Sequence, residues 1–302
     1  MNKRNKNLII ITGPTAIGKT GLAVFLAKQL NTEIVSFDSR QFYKEMKIGT
    51  AVPTGKELAE VPHHFIQNLS IHDDYSVGDY ERDALKKLEE LFQKYNSVVM
   101  VGGSGMFEKA VTEGLDEFPE IDRKIREELN AEFQKSGIEK LQEELESADP
   151  DYYSQVDLNN PVRIIRALEI FRGTGKQFSS FRKKQSAQRN FNTIKIGLEL
   201  PREEIYDRIN RRVDLMMEEG LLNEAKSLYE FKELNSLQTV GYRELFDYLD
   251  GKSDLESVVE EIKKNTRRYA KRQLTWYRKD EKIKWFSPFE KEEILQFILN
   301  FR

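Results

Sequence analysis

The chain has 302 residues, the length of two domains or of one large α/β domain with an insertion. Its 48 basic and 51 acidic residues give a formal net charge of −3, so the overall charge does not itself indicate a nucleic-acid partner. The absence of cysteine excludes disulfides, thiolate metal sites and thiol nucleophiles. It also fits a reducing compartment, and no apolar run approaches the roughly 18 residues of a membrane span. We therefore expect a cytoplasmic protein with no membrane partner.

Strand and helix patterns alternate along the first third of the chain. The apolar run 8–11 predicts a strand, a glycine-rich turn follows it, and the periodic stretch 22–30 predicts a helix. Residues 33–37 and 97–101 predict two further buried strands, with a helix over 80–95 between them. This alternation is typical of a parallel sheet with right-handed crossovers, so we predict an α/β fold.

The strand pattern disappears between residues 121 and 190, where apolar spacing predicts helices over 121–136, 138–146 and 161–171. Residues 194–200 then alternate like a strand. We therefore predict a helical insertion domain over 121–190, carried by a catalytic core that consists of 1–120 and 191–302.

Residues 13–20 read GPTAIGKT, the G-x-x-x-x-G-K-[ST] pattern, directly between a predicted strand and a predicted helix. The backbone N–H groups of such a loop surround a phosphate, and the helix N-terminus adds its dipole. Lys19 would add a positive charge, and the Thr20 hydroxyl is a candidate ligand for Mg²⁺. The pattern is typical of nucleotide-binding and ATP-binding proteins, so we expect a P-loop NTPase-like core. The predicted phosphate-binding residues are Gly13, Pro14, Thr15, Ala16, Ile17, Gly18, Lys19 and Thr20.

Asp38 is the acidic residue best placed to join this loop. The strand 97–101 ends in two glycines, where a phosphoryl-transfer enzyme usually has an acid that helps to hold Mg²⁺. The strand 33–37 leads directly into Asp38, at the sheet edge where open α/β sheets bind ligands. The alternative is a carboxylate that caps a turn or a helix.

Further motifs resemble those of the bacterial tRNA dimethylallyltransferases in order and spacing. They are GPTAIGKT at 13–20, DSRQFYKEMKIGTAVP at 38–53, PHH at 62–64, YSVGDYERDA at 75–84, VGGSGMF at 101–107, NNPVRIIRALE at 159–169, VGYRE at 240–244 and TRRYAKRQLTWYRK at 266–279. The chain departs from the family at Ser104, Phe107 and Val162, where Thr, Tyr and Gln are usual. The resemblance implies transfer of a dimethylallyl group from dimethylallyl diphosphate to N6 of the adenine just 3′ of the tRNA anticodon.

The resemblance also implies roles for individual residues. The loop would hold the diphosphate of the donor, with Mg²⁺ on Thr20, and Asp38 would be the base that takes the N6 proton. Lys19, Ser104 and Arg212 would complete the catalytic set. The predicted tRNA contacts are Asp38, Ser39, Arg40, Gln41, Ser104, Arg126, Val162, Arg163, Ile164, Ile165 and Arg166. We expect Gln41 to form paired hydrogen bonds with adenine, and Phe42, Tyr43 or another aromatic residue of a loop to stack on neighbouring bases.

Basic residues and histidines add three smaller hypotheses. Residues 170–198 contain no acid but seven bases that would contact tRNA phosphates: Arg172, Lys176, Arg182, Lys183, Lys184, Arg189 and Lys195. Tyr269, Gln273 and Trp276 are expected to pack on the core, opposite two basic rows of the same helix. His63-His64 is interpreted as a structural loop pair, because it lacks cysteine partners and helical metal-ligand spacing.

Three other functions stay open on the sequence. A prenyltransferase acting on a small nucleotide such as AMP or ATP would not need an insertion of about 70 residues. A nucleotide kinase would leave TRRYAKRQLTWYRK unexplained. A non-catalytic RNA-binding protein would not need Lys19, Thr20 and Asp38 to be intact. We expect a monomer.

Overall fold

The computed structural model describes residues 6–182 and 187–301. It divides into two units, one formed by Met1–Glu113 with Gln188–Arg302 and the other by Gly114–Ala187. The first part of the larger unit contains β1 (Asn7–Thr12), α1 (Lys19–Gln29), β2 (Ile34–Ser36), α2 (Gly55–Glu60), β3 (His63–His64), α3 (Val77–Lys94), β4 (Ser97–Val101) and α4 (Gly105–Glu113).

The smaller unit contains α5 (Arg123–Ser136), α6 (Glu139–Ala148), α7 (Pro150–Tyr153), α8 (Pro161–Thr174) and α9 (Phe178–Phe181). The chain then returns to the larger unit with β5 (Asn192–Leu198), α10 (Arg202–Glu218), α11 (Leu221–Leu228), two 3₁₀ turns (Tyr229–Phe231 and Asn235–Leu237), α12 (Tyr242–Leu249), α13 (Leu255–Tyr277), β6 (Lys284–Phe286) and α14 (Lys291–Leu299). Within the described ranges, no helix has both the length and the apolar character needed to cross a bilayer.

The six strands form one parallel sheet in the order β3-β2-β4-β1-β5-β6, which confirms the predicted α/β fold. Ile9 of β1 lies opposite Val99 of β4 on one side and Ile194 of β5 on the other. Because β1, β4 and β2 are neighbours and run the same way, the segments that follow them meet at one edge of the sheet. Those segments are the glycine-rich loop, Gly102-Gly103 and Asp38.

Both faces of the sheet are covered, which explains why its strands are apolar runs without polar alternation. Ile9 and Ile11 point into a cluster with α1, while Leu8 and Ile10 pack into a second cluster with α3. The second cluster contains Phe42, which is 1% exposed and stacks on the ring of Tyr80. Tyr43 is 8% exposed and belongs to a third cluster. The expectation that either ring stacks on a nucleic-acid base is therefore wrong, since both belong to the core.

The histidine pair forms the outermost strand of the sheet, so its interpretation as a loop is wrong. His63 pairs with Ile34 and His64 pairs with Val35 in parallel register. The ring of His64 lies 2.7 Å from Glu33, and Nδ1 of His63 lies 2.7 Å from the Val61 carbonyl. A strand of two residues has no periodicity that a sequence could reveal.

The smaller unit is helical and has its own core, with boundaries at Gly114 and Ala187 where the sequence placed them at 121 and 190. Helix α8 begins at Pro161, and the Asn160 side chain caps it by accepting a hydrogen bond from the Arg163 amide. Ile164 and Ile165 of this helix are 0% and 4% exposed, respectively. Their side chains build the core, so the prediction that they contact tRNA is wrong for these two side chains.

Asp149 generates a stability prediction for this unit. Its buried carboxylate accepts hydrogen bonds from the Tyr152 amide at 3.1 Å and from the Ser179 amide at 2.7 Å, which join α7 to α9. Asp149→Ala strands these donors, so the free energy of unfolding should fall by about 2–4 kcal/mol. Urea unfolding followed by circular dichroism measures this loss. Glu146→Ala, which removes an exposed carboxylate from α6, is the control and should change stability by less than about 0.5 kcal/mol.

Candidate active site

The glycine-rich loop follows β1 and leads directly into α1. Gly13 has a φ of 141°, and a Cβ atom there would lie 2.8 Å from the Leu198 carbonyl oxygen, so the position requires glycine. Ala16 has a φ of 63°, and Gly18 caps α1 with a φ of 104°. Because left-handed and ordinary backbone conformations alternate along the loop, successive N–H groups face the same side. This is the geometry of an anion-binding nest.

Lys19 bends back over this loop. Its ammonium donates hydrogen bonds to the carbonyl oxygens of Gly13 at 3.0 Å and Pro14 at 2.8 Å. Burial lowers the pKa of Lys19 to about 8; the Asp38 carboxylate acts in the opposite direction, and the Arg212 charge lowers the pKa further. Lys19 is therefore a buried cation whose charged form is disfavoured by its surroundings, and a bound anion would stabilise that charge.

The turn after β2 carries Asp38 and is tied to the segment after β4. Oδ1 of Asp38 accepts a hydrogen bond from the Arg40 amide at 3.2 Å, which makes it a turn carboxylate. The Ser39 amide donates to Oγ of Ser104 at 3.1 Å, and the two serine hydroxyls lie 3.0 Å apart. Ser104 thus keeps the Asp38 turn against the start of α4.

Two arginines lie close to this turn. Nη1 of Arg212, from α10, donates to the Thr15 hydroxyl at 3.2 Å, and burial lowers the pKa of its guanidinium. The arrangement agrees with the predicted place of Arg212 at the phosphate loop. Nη1 of Arg40 donates instead to the carbonyl oxygens of Asn235 and Ser236, which fixes its guanidinium on the protein.

These side chains surround two cavities of the larger unit that share a wall. The first has a volume of about 330 Å³ and is lined by the loop, Lys19, Thr20, Asp38, Gln41 and Arg212 among others. The second, of about 390 Å³, shares Thr15, Asp38, Thr50 and Arg212 with the first and extends along Val213, Met216 and Tyr269. The second cavity therefore combines apolar side chains with the arginines Arg40, Arg243 and Arg272, and Asp38 lines both cavities.

Helix α13 contributes a residue for which the sequence predicted only a packing role. Oε1 of Gln273 accepts a hydrogen bond from the Thr15 amide at 2.9 Å, and its Nε2 donates to the Gly103 carbonyl at 3.0 Å. Gln273 thus joins the phosphate loop to the two glycines after β4, and any side chain at Gly103 would collide with its amide. Gln273 lies within the motif at 266–279. The resemblance of that motif to the family was the sequence signal that could have identified this residue.

Tyr269 and Trp276, which lie near Gln273 in α13, differ in their burial. Burial, followed by the nearby Asp38 charge, raises the pKa of Tyr269 to about 12, so its hydroxyl stays protonated beside the carboxylate. Trp276 is 42% exposed, so the expectation that it packs in the core is wrong. It covers Gly105 at the beginning of α4 and keeps one face in solvent.

The Gln41 side chain cannot make the paired hydrogen bonds with adenine that we expected. Both hydrogens of its amide group are directed to backbone carbonyls, Thr50 at 3.1 Å and Ala51 at 2.9 Å. A carbonyl oxygen accepts and cannot donate, so the amide group is fixed with its nitrogen toward these residues. Gln41 is left with its oxygen as the end available to a ligand.

Comparison with known proteins identifies the family of this chain. The family model described as IPP transferase matches residues 41–280. The chain belongs to the IPP transferase family. It is 61% identical to a tRNA dimethylallyltransferase of Christiangramia forsetii, covering 92% of each chain, and 54% identical to one of Flavobacterium johnsoniae, covering 97% of each.

Solved structures of the IPP transferase family share the fold. A tRNA isopentenylpyrophosphate transferase from Bacillus halodurans is 40% identical, with a TM-score of 0.73 over 98% of this chain and 96% of that one. A eukaryotic dimethylallyltransferase, in a crystallographic study of its action on tRNA, is 27% identical with a TM-score of 0.80, covering 96% of this chain and 75% of that one.

In this IPP transferase, three of the seven bases from residues 170–198 are held by carboxylates. Arg172 pairs with Glu132 and Glu144, Arg189 with Glu81, and Lys195 with Glu108 and Asp280. The expectation of one continuous phosphate-binding surface is therefore wrong for these three. Their acidic partners lie outside residues 170–198, so the absence of acids within that stretch could not reveal these ion pairs. Lys183 and Lys184 lie outside the described residues.

The arginines assigned to tRNA contact lie in the smaller unit. Arg126 and Arg166 share the buried carboxylate of Glu169 at 3.5 Å and 2.8 Å, and the guanidinium of Arg166 also lies over the ring of Phe118. Arg163 and Val162 are exposed, with Val162 63% accessible. Glu169 thus orients Arg166 of the motif together with the exposed Arg126, and Arg163 of the motif is exposed as well.

The pKa of Lys19 leads to a testable prediction about anion binding. Below about pH 8 its ammonium is charged, and above that value it is increasingly neutral. We expect the affinity for inorganic diphosphate to fall as the pH rises through about 8, as measured by calorimetry. Lys19→Arg stays charged throughout this range, so its affinity should fall less steeply. Parallel curves for the two proteins would contradict a binding role for the Lys19 charge.

Proposed function

We propose that the chain transfers the dimethylallyl group of dimethylallyl diphosphate to N6 of the adenine 3′-adjacent to the tRNA anticodon. Membership of the IPP transferase family and the names of the curated relatives support this reaction class. The observation that carries the assignment to residues is that Lys19 and Asp38 line one cavity, with Lys19 beside a phosphate nest and Asp38 also lining the second cavity.

The diphosphate of the donor would lie in the loop of residues 13–20. Backbone N–H groups, the Lys19 ammonium and the Arg212 guanidinium would neutralise its charge, which makes diphosphate a better leaving group. The hydrogen bonds of Lys19 to the loop carbonyls would be exchanged for bonds to the diphosphate. The apolar part of the second cavity's lining, which includes Val213 and Met216, suits the five-carbon chain.

Asp38 is placed to serve as the base. The N6 lone pair attacks C1 of the dimethylallyl group, the bond between C1 and the diphosphate oxygen breaks, and N6 loses one proton. A carboxylate near N6 can accept that proton during the attack, which raises the nucleophilicity of an otherwise weak amine. The Arg40 amide and the Ser39–Ser104 contact hold the Asp38 turn in place for this transfer.

Thr20 is a suitable first ligand for Mg²⁺. Thr20 lines the cavity that contains Asp38, and no group of three acidic or histidine ligands occurs among the residues that the structure describes. This donor set fits Mg²⁺, which keeps several waters and is commonly bound through one or two protein oxygens and substrate phosphates. Bound there, the ion would add positive charge at the leaving diphosphate.

The proposed substrate can be tested against its alternatives in one experiment. Labelled dimethylallyl diphosphate is incubated with the protein and, separately, with tRNA, AMP or ATP. Transfer to tRNA alone supports the proposal, whereas transfer to AMP or ATP identifies a small-nucleotide prenyltransferase. Phosphate transfer from ATP would identify a kinase, and RNA binding without any transfer would identify a non-catalytic protein.

Asp38→Asn tests the role of the carboxylate, because the amide keeps the shape but cannot accept the N6 proton. We expect kcat to fall by roughly 10²- to 10⁴-fold. The affinity for the donor should stay within about two-fold, since the diphosphate contacts do not involve Asp38. Steady-state transfer to tRNA and direct titration of the donor measure the two quantities. Loss of donor affinity with little change in kcat would instead assign Asp38 to the metal.

We also propose that the smaller unit binds the anticodon stem, that the enzyme acts in the cytoplasm, and that it acts as a monomer. All residues that line the two cavities come from the larger unit of a single chain, so the chemistry needs no second copy. Arg163 is exposed on α8, and Arg182 lies over the Tyr152 ring with its side chain exposed. Both side chains are therefore accessible to the phosphates of a bound RNA.

A salt series tests this placement. Each arginine that neutralises a phosphate contributes roughly 0.7–0.9 to the slope of log affinity against log salt. Arg163→Ala combined with Arg182→Ala should weaken tRNA binding and flatten the slope by about twice that amount. Lys140→Ala, which removes another exposed base of the unit, is the control and should leave the slope unchanged. Equal slopes for the double variant and the control would move the tRNA path elsewhere.

A further inference from the structure

Glu224 of α11 holds three consecutive backbone N–H groups with one carboxylate. It accepts hydrogen bonds from Lys47 at 3.0 Å, from Ile48 at 2.8 Å and from Gly49 at 2.9 Å. The hydroxyl of Tyr242 donates to the same carboxylate at 2.6 Å. Removing such an acceptor leaves several donors without a partner, so the carboxylate fixes the course of this loop.

The Tyr242 ring fixes the same loop from a second direction. The ring is fully buried, and a Cβ atom on Gly49 would lie 2.6 Å from it. Burial, followed by the Glu224 charge, raises the pKa of the Tyr242 hydroxyl, which therefore remains a donor to Glu224. The Glu224 carboxylate and the Tyr242 ring together hold this loop in place against α11 and α12.

The next two residues of this loop determine the orientation of Gln41. The carbonyl oxygens of Thr50 and Ala51 take both hydrogens of its amide group, so Oε1 is the end that a ligand can reach. Gln41, Thr50 and Ala51 line the same cavity as Asp38. A continuous set of contacts therefore leads from a carboxylate outside this cavity to an acceptor oxygen within it.

We propose that Glu224 is a positioning residue that sets the loop of residues 47–51 so that Gln41 presents a hydrogen-bond acceptor to the target base. The inference rests on the proposed function, because it takes the base to be adenine. An acceptor at this place favours the amino group at position 6 of adenine and opposes a carbonyl at that position. Glu224 itself does not touch the substrate and acts through the backbone.

The test compares stem-loop RNAs that differ only at the target base, which is adenine or hypoxanthine. Affinities for both RNAs and for inorganic diphosphate are measured for the wild-type chain, Glu224→Gln and Tyr242→Phe. Glu218→Gln, which changes an exposed carboxylate at the end of α10, is the matched control. We expect Glu224→Gln to reduce the preference for adenine by about 3- to 10-fold, which corresponds to loss of one hydrogen bond. Tyr242→Phe should reduce it less, and diphosphate affinity should stay within about two-fold.

An unchanged preference for adenine in Glu224→Gln, or an equal loss of affinity for both RNAs and for diphosphate, would overturn the inference. If Glu224→Gln does not fold, an unchanged preference in Tyr242→Phe has the same meaning. Failure of the proposed function is seen separately, because the wild-type chain would then transfer no label from dimethylallyl diphosphate to the adenine RNA.

Discussion

The burial of positive charge at the edge of the sheet is the constraint on which the rest of the site depends. Lys19 and Arg212 both have their pKa lowered, first by burial, and the Asp38 carboxylate opposes that shift in each. Buried charge is costly unless it is compensated, and the loop carbonyls that Lys19 now contacts carry only partial charge. An anion between the loop amides and these cations restores the balance, so the site is built to bind one before any chemistry occurs.

The parallel sheet and helix α13 bring the parts of this site together. Strands β1, β2 and β4 deliver the loop, Asp38 and Ser104 to one edge, and Gln273 connects the loop to Gly103 by two hydrogen bonds. Tyr269 of the same helix lies close enough to Asp38 for the carboxylate to raise its pKa. The glycine-rich loop and Asp38 are therefore parts of one frame, and such a frame keeps groups bound to it in register.

Local patterns in the sequence predicted the buried strands and the glycine-rich loop, but they could not reveal long-range contacts. The strand at 97–101 and the loop at 13–20 could be predicted because the residues that identify each of them are adjacent in the sequence. The roles of Gln273 and Glu224 could not, since the loop partners of these side chains are 170 to 258 residues away and no periodicity connects them. The same limit applies to Lys195, which looked like a free base until Glu108 and Asp280 were seen to hold it.

The central claim is that the loop of residues 13–20 binds the diphosphate of the donor and that Lys19 moves to meet it. A crystal structure of the wild-type chain with inorganic diphosphate tests this most directly. The account predicts diphosphate density against the loop amides, with the Lys19 ammonium moved from the Gly13 and Pro14 carbonyls onto a phosphate oxygen. Diphosphate bound away from the loop, or Lys19 still hydrogen-bonded to both carbonyls in the complex, would contradict it.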